Sequence, residues 1–140
     1  MPVVQSGIKA VSNRLPKVLT PKSHAIVDYV SLAGFAAAGA LLWKKNRRAA
    51  VACLICAGAE TAVTLLTDYP GGVAKSMDFP MHGRVEMGLA AVASSLPAFL
   101  GFSDEPEAKI FRAMGIASTL AAAFTDFGRS RRLTKLRRAS

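Results

Sequence analysis

His24-Ala25-Ile26-Val27-Asp28 returns as His82-Gly83-Arg84-Val85-Glu86, and Thr67-Asp68-Tyr69 returns as Thr125-Asp126-Phe127. Both pairs share one offset of 58 residues (24 to 82, 67 to 125), so the register holds without a gap across the stretch between them. Ala33/Ala91, Ala40/Ala98, Leu42/Leu100, Ala50/Ala108, Ala59/Ala117 and Thr61/Thr119 coincide at the same offset. Small apolar residues coincide by chance in an Ala-rich chain. A His with a carboxylate four residues on, and a Thr-Asp-aromatic trio, are harder to repeat by accident. Residues 24–69 and 82–127 therefore read as an internal duplication.

The 140-residue chain is one domain by length. It is 51% hydrophobic and only 19% charged, with apolar runs at 29–43, 49–67, 87–102 and 110–125. Between Met87 and Phe102 the only polar side chains are Ser94 and Ser95, and between Ala113 and Phe124 they are Ser118 and Thr119. Such segments lack the polar face that a helix of a water-soluble bundle needs. Their small residues suit close helix packing in lipid. The expectation is an all-α, four-helix transmembrane bundle built from two tandem helical hairpins. Residues 1–23 form a basic amphipathic segment before it, and residues 128–140 form a basic tail after it. No secretory signal is expected at the N-terminus.

The turn signals set the helix limits. Helix 1 is predicted from Ser23 or His24 to Trp43, an interfacial aromatic, and helix 2 from Ala49 to Thr67, stopped by Asp68-Tyr69-Pro70-Gly71-Gly72. Helix 3 runs from Met81 to Leu100 with Pro97 shortening or kinking it, and helix 4 ends near Phe127-Gly128. Val4, Ile8, Val11, Leu15 and Leu19 follow helical spacing in the N-terminal segment, with Lys9, Asn13, Arg14 and Lys17 opposite. The tight loops at Lys44–Arg48 and Gly101–Pro106 carry opposite charge, so Lys44, Lys45, Arg47 and Arg48 could meet Asp104, Glu105 and the adjoining Glu107.

An even number of spans per unit inserts both units the same way up, related by a pseudo-twofold axis along the membrane normal. The N-terminal segment, middle connection and C-terminal tail hold twelve of the 18 Lys and Arg residues, which favours both termini in the cytoplasm. The tail suits anionic lipid headgroups. Without interleaved aromatics or a nucleic-acid fold ahead of it, it does not suit nucleic acid.

Folding the hairpins brings all the repeated polar residues to one membrane face. His24 and Asp28, four residues apart, share a helix face, as do His82 and Glu86. Asp68 and Asp126 arrive from neighbouring helix ends. Two imidazoles and four carboxylates (His24, Asp28, Asp68, His82, Glu86, Asp126) are the donor inventory of a divalent-metal or di-metal centre, though with His-x-x-x-Asp/Glu spacing rather than Glu-x-x-His. Axial haem ligation by the two His is disfavoured by so many carboxylates. The plainer alternative is structural. Each His would bond the Asp ending its partner helix, while Asp28 and Glu86 favour the first-turn dipole.

Glu60 stands apart, about 12 Å deeper than Asp68. Its counterpart is Ser118, and it shares a face with Thr64 and Thr67. It could serve proton-coupled transport or sit protonated in a helix contact. Cys53 and Cys56 match Phe111 and Met114 and read as packing residues.

The stretches His24-x-x-x-Asp28-Tyr29, Leu66-Thr67-Asp68-Tyr69-Pro70-Gly71-Gly72-Val73-x-Lys75, Phe79-Pro80-Met81-His82-Gly83-x-x-Glu86 and Ser95-Leu96-Pro97-x-x-Leu100-Gly101-Phe102 resemble a family of small bacterial four-span membrane proteins, similar to the SPW-repeat proteins. Ser95-Leu96-Pro97 departs from the Ser-Pro-Trp ending of that family. The resemblance covers residues 24–127 and implies a duplicated two-span topology in a bacterial inner membrane, with no catalytic residues. The expected role is a non-enzymatic membrane scaffold or accessory subunit, alone, as a homo-oligomer or in a larger membrane complex. A metal-binding protein or di-metal enzyme is the alternative, and a small carrier using Glu60 is the third possibility.

Overall fold

The computed structural model of the protein describes residues 14–128, 135, 136 and 139. Among these there are four helices and no strands: α1 (Pro21–Leu42), α2 (Arg47–Leu66), α3 (Phe79–Phe99) and α4 (Ala108–Phe124). α2 and α4 are each stopped by a threonine in extended conformation, Thr67 and Thr125, and α1 and α3 each start at a side-chain cap. The predicted helices agree with these to within a few residues at each end. Pro97 falls in the last turn of α3, where it withholds the N–H that would bond Ala93 O, and the helix ends two residues later at Phe99. Residues 1–13 and most of the basic tail lie outside the described residues. From Leu15 to Thr20 the chain is not helical, so the amphipathic spacing predicted through Leu19 is not realised over those residues; Pro16 denies the backbone a donor there.

The starts of α1 and α3 are fixed in the same way. Thr20 and Ser23 form a reciprocal capping box ahead of Pro21, and Asp78 accepts from Met81 N ahead of Pro80. Each cap sets His24 or His82 as the fourth helical residue, the first whose N–H closes a helical bond, to Thr20 O and Asp78 O respectively.

The ends of α2 and α4 are strapped crosswise. Met77 N donates to Leu66 O at 2.9 Å and Leu19 N donates to Phe124 O at 3.1 Å. Thr67 bridges to Met77, and Thr125 to Leu19. Leu19 and Met77, Leu66 and Phe124, and Thr67 and Thr125 are each related by the 58-residue offset. The segment preceding the first helix of each hairpin is therefore pinned to the last helix of the other. In the middle connection Gly72 folds back on Thr67, and a Cβ at Gly72 would meet Thr67 O at 1.6 Å, so no other residue fits there.

Between the straps and the tight loops, α1 packs on α2 and α3 on α4, while the hairpins meet mainly through α2 and α3. Ala49, Ala50 and Ala52 are fully buried and let α2 approach its neighbours closely. Phe35, Cys53, Leu96, Phe102 and Phe111 fill the core at the loop end. Both cysteines are free and buried, as their packing role predicts.

At the loop end a clasp forms from part of the expected set. Arg48 pairs with Glu105 and Lys45 with Glu107 at 3.6 Å, while Arg47 instead stacks on Trp43 at 4.5 Å. Asn46 was not foreseen in this role. Its amide donates to Glu105 and, at 3.3 Å, to Glu107, while its oxygen caps α2 by accepting from Ala49 N at 3.1 Å. The Glu107 carboxyl is held below its usual range first by its own backbone N–H, then by Asn46 and Lys45. Asn46→Ala removes a cap and both bonds to the second loop; equilibrium unfolding should show a loss of about 1–2 kcal/mol.

Candidate metal centre

The two hairpins meet at the capped end through a pair of histidines. His24 Nε2 and His82 Nε2 face one another at 3.2 Å. Behind them, His24 Nδ1 lies 2.7 Å from Thr125 Oγ1 and His82 Nδ1 lies 2.8 Å from Thr67 Oγ1. Both threonine hydroxyls donate their single proton to a carbonyl one turn back, Ala121 O and Val63 O, each at 2.6 Å. A hydroxyl that has given its proton away can only accept. The hydrogen-bond network therefore assigns the proton of each ring to Nδ1, and in the neutral tautomer each Nε2 carries a lone pair directed at the other.

Two carboxylates close on the same point. Asp28 Oδ1 is 3.4 Å from His24 Nε2 and Asp28 Oδ2 is 3.4 Å from His82 Nε2. Glu86 Oε2 is 3.1 Å from His24 Nε2 and 3.8 Å from His82 Nε2. The 3.1 Å approach is an ion-pair distance without hydrogen-bond geometry, because Glu86 Oε2 has no hydrogen-bond partner. All four residues are buried, at 0–5% exposure. Around them Phe79, Tyr69 and Phe127 form an aromatic wall, with ring centroids 5.3–5.5 Å from the nearer imidazole.

Of the six residues predicted for the cluster, four meet at this point. Asp68 is exposed and lies 3.7 Å from Lys75, and Asp126 accepts from Gly128 N. The reason is local. Thr67 and Thr125 end their helices in extended conformation (ψ 138° and 135°), and successive side chains of extended backbone point to opposite sides. Thr67 and Tyr69 turn inward and Asp68 outward; Thr125 turns inward as well. The Asp was the conspicuous member of the repeated trio, but the Thr beside it reaches the histidine. The recurrence of that Thr at the same offset was the available signal. The predicted His-to-Asp bond at each partner helix end is replaced by these threonine contacts. Because α1 and α3 begin at Pro21 and Phe79, Asp28 and Glu86 lie about two turns in, beyond the first turn where the helix dipole favours them.

Tyr69 is a further residue missed in the sequence. Its hydroxyl donates to Asp28 Oδ2 at 2.6 Å. Glu60 is half-buried on α2 beside a cavity of about 30 Å³ between α2 and α3, lined also by Cys56, Ala59, Leu89, Val92 and Ala93. It is close enough to interact electrostatically with Glu86, Asp28 and His24, and so does not stand apart from the cluster as its depth suggested.

The donor set suits one cation. Ligand atoms around a tetrahedral ion with bonds of about 2.0–2.1 Å are about 3.3 Å apart, close to the 3.1–3.8 Å among His24 Nε2, His82 Nε2 and Glu86 Oε2, while Asp28 meets the two imidazoles through different oxygens. His24, His82 and Glu86 alone offer three atoms within 4.8 Å of one another. Two imidazoles favour a transition metal such as zinc over calcium or magnesium, which take oxygen ligands. The two nitrogens are too close for a porphyrin plane to pass between them. Among the described residues, two carboxylates, Asp28 and Glu86, stand beside the histidine pair.

No family model, curated protein or solved structure matches the chain.

Thr67→Val and Thr125→Val keep the side-chain shape but leave a buried Nδ1–H without its acceptor. Each should cost about 1–3 kcal/mol in unfolding experiments, and nitrogen-15 shifts of the imidazoles should report loss of the single tautomer. Serine at either position should restore both.

Proposed function

We propose that this protein is a small, non-enzymatic, four-span membrane protein, made by duplication of a two-helix unit, that holds one divalent transition-metal ion at one membrane face. The observation that carries the metal reading is the convergence of two Nε2 lone pairs and two carboxylates in a buried site, where, among the described residues, the side-chain hydrogen bond donated to these carboxylates comes from Tyr69. With both carboxyls ionised and both rings neutral, such a site would carry two negative charges in a poorly solvated place, at a cost of several kcal/mol. A divalent cation neutralises both charges and separates the lone pairs. A single proton shared by the rings would neutralise only half of the charge. The threonines are then the outer partners that orient ligating imidazoles.

The membrane reading rests on surface chemistry. α1 and α2 are long and apolar enough to cross a bilayer, and only 22% and 39% of their most apolar windows are buried. The core helix of a water-soluble bundle would bury most of such a stretch. α3 and α4 also expose large apolar side chains, among them Met87, Val92, Phe99, Ile116 and Leu120. α4 has 17 residues, the short limit for a span. Both termini on the cytoplasmic side, in contact with anionic lipid headgroups, would set the ion near the cytoplasmic face, in a duplicated unit like that of the SPW-repeat proteins the sequence resembles.

Elemental analysis of detergent-purified protein should find about one metal ion per chain, lost in the His24→Ala/His82→Ala double variant while helical circular dichroism is retained. Chelation should lower the thermal midpoint and added Zn²⁺ should restore it. A sub-stoichiometric content unchanged in the double variant would reject the metal site.

The position of Glu60 favours a second reading, proton-coupled movement of the ion. The cavity beside it has about the volume of one water molecule in the liquid, and Glu60 interacts electrostatically with the site. In proteoliposomes, Glu60→Gln should abolish metal uptake while bound metal stays stoichiometric. Uptake at the level of the unmodified protein would reject the carrier.

A further inference from the structure

The site is symmetric in its histidines and asymmetric in its carboxylates. Asp28 and Glu86 occupy matching positions at the 58-residue offset, as do Tyr69 and Phe127. The Tyr69 hydroxyl bonds Asp28 Oδ2 at 2.6 Å, whereas Phe127, its counterpart, has no hydroxyl to offer Glu86. Glu86 Oε2 is accordingly buried without a hydrogen-bond partner, on a residue only 5% exposed. The Phe127 ring rests against Gly83, where a Cβ would lie 2.8 Å from it. At the matching position the first hairpin has Ala25. Phe127 thus fills the place of the second phenol ring but not its chemistry.

We infer that Glu86 is the displaceable ligand of the metal centre, and that the Tyr69/Phe127 difference makes it so. The inference rests on the metal reading above. Tyr69 acts as a positioning residue: it holds Asp28 in one orientation from outside the coordination sphere. Glu86 has one more methylene than Asp28 and no donor holding its Oε2, so it is the carboxylate free to swing from the ion while Asp28 is held by Tyr69. A fourth position that opens in this way admits water or an incoming ligand, as exchangeable zinc sites do and closed structural sites do not. The ion is therefore held for exchange and not locked in place.

The test uses full-length protein in detergent loaded with Zn²⁺, with affinity from competition against a chromophoric chelator and release followed after excess chelator. Tyr69→Phe should bind one ion at saturation with affinity lower by about 10–100-fold, the range for loss of an outer partner, and should release it faster. Phe127→Tyr gives Glu86 a phenol donor and should slow release by about tenfold with unchanged stoichiometry. Should Phe127→Tyr fail to fold, Tyr69→Phe, which removes a single hydroxyl, decides the matter. Release at the unmodified rate in Tyr69→Phe, or in a folded Phe127→Tyr, would overturn the inference while leaving the metal site intact. Absence of Zn²⁺ binding in the unmodified protein would overturn the metal reading itself.

Discussion

Two imidazole nitrogens held 3.2 Å apart in a buried place constrain everything around them. Unless something fixes both rings, they would rotate apart and expose the carboxylates beside them to one another. Thr125 and Thr67 supply that restraint from behind, and each can do so only because its own proton is committed to its helix. The threonines in turn sit where helices α2 and α4 give way to extended backbone. Their positions depend on the crossed pairing of Leu19 with Thr125 and of Met77 with Thr67. Caps at Thr20 and Asp78 set the phase of the helices that carry the histidines. Caps, straps, threonines and rings form one chain of dependence that ends at a single point between the hairpins.

That arrangement grades the kind of contact along the long axis of the molecule. At the loop end, the contacts of Asn46 and the Arg48–Glu105 pair join the hairpins. These are half-exposed groups, each contributing little. In the middle, small residues bring α2 close to its neighbours, and larger rings fill the remaining core. At the capped end the packing gives way to polar groups that are buried but incompletely satisfied. Polar groups left so in a native structure point to a missing partner, and the proposed ion is a partner of the right charge and size. The aromatic wall of Phe79, Tyr69 and Phe127 excludes the water that would otherwise weaken its electrostatic hold.

The matched positions differ where function can use a difference. Tyr69 and Phe127, Asp28 and Glu86, and Glu60 and Ser118 break an otherwise repeated pattern. Two of these differences fall on the buried His/carboxylate cluster and its Tyr69 contact, and the third neighbours the cluster electrostatically. α2 packs against α3 more extensively than α1 does against α4, so the helix that bears Glu60 is also the one that joins the hairpins.

The sequence by itself determined the helices, their limits to within a few residues, and the identity of the pair of histidines. These follow from local chemistry: apolar run length, Pro and Gly at the turns, and residue types recurring at one spacing. It also singled out Asp28 and Glu86, because residues four apart on a helix must share a face. Tertiary structure decided the rest of the site. Whether Asp68 or Thr67 turns inward depends on the conformation of one residue after the helix end, which the crossed straps impose. That Tyr69 reaches Asp28, 41 residues earlier, and that each histidine is oriented by a threonine of the opposite hairpin, depends on which helix ends come to lie together. No spacing along the chain encodes such contacts, because they join segments whose distance in sequence bears no relation to their distance in space.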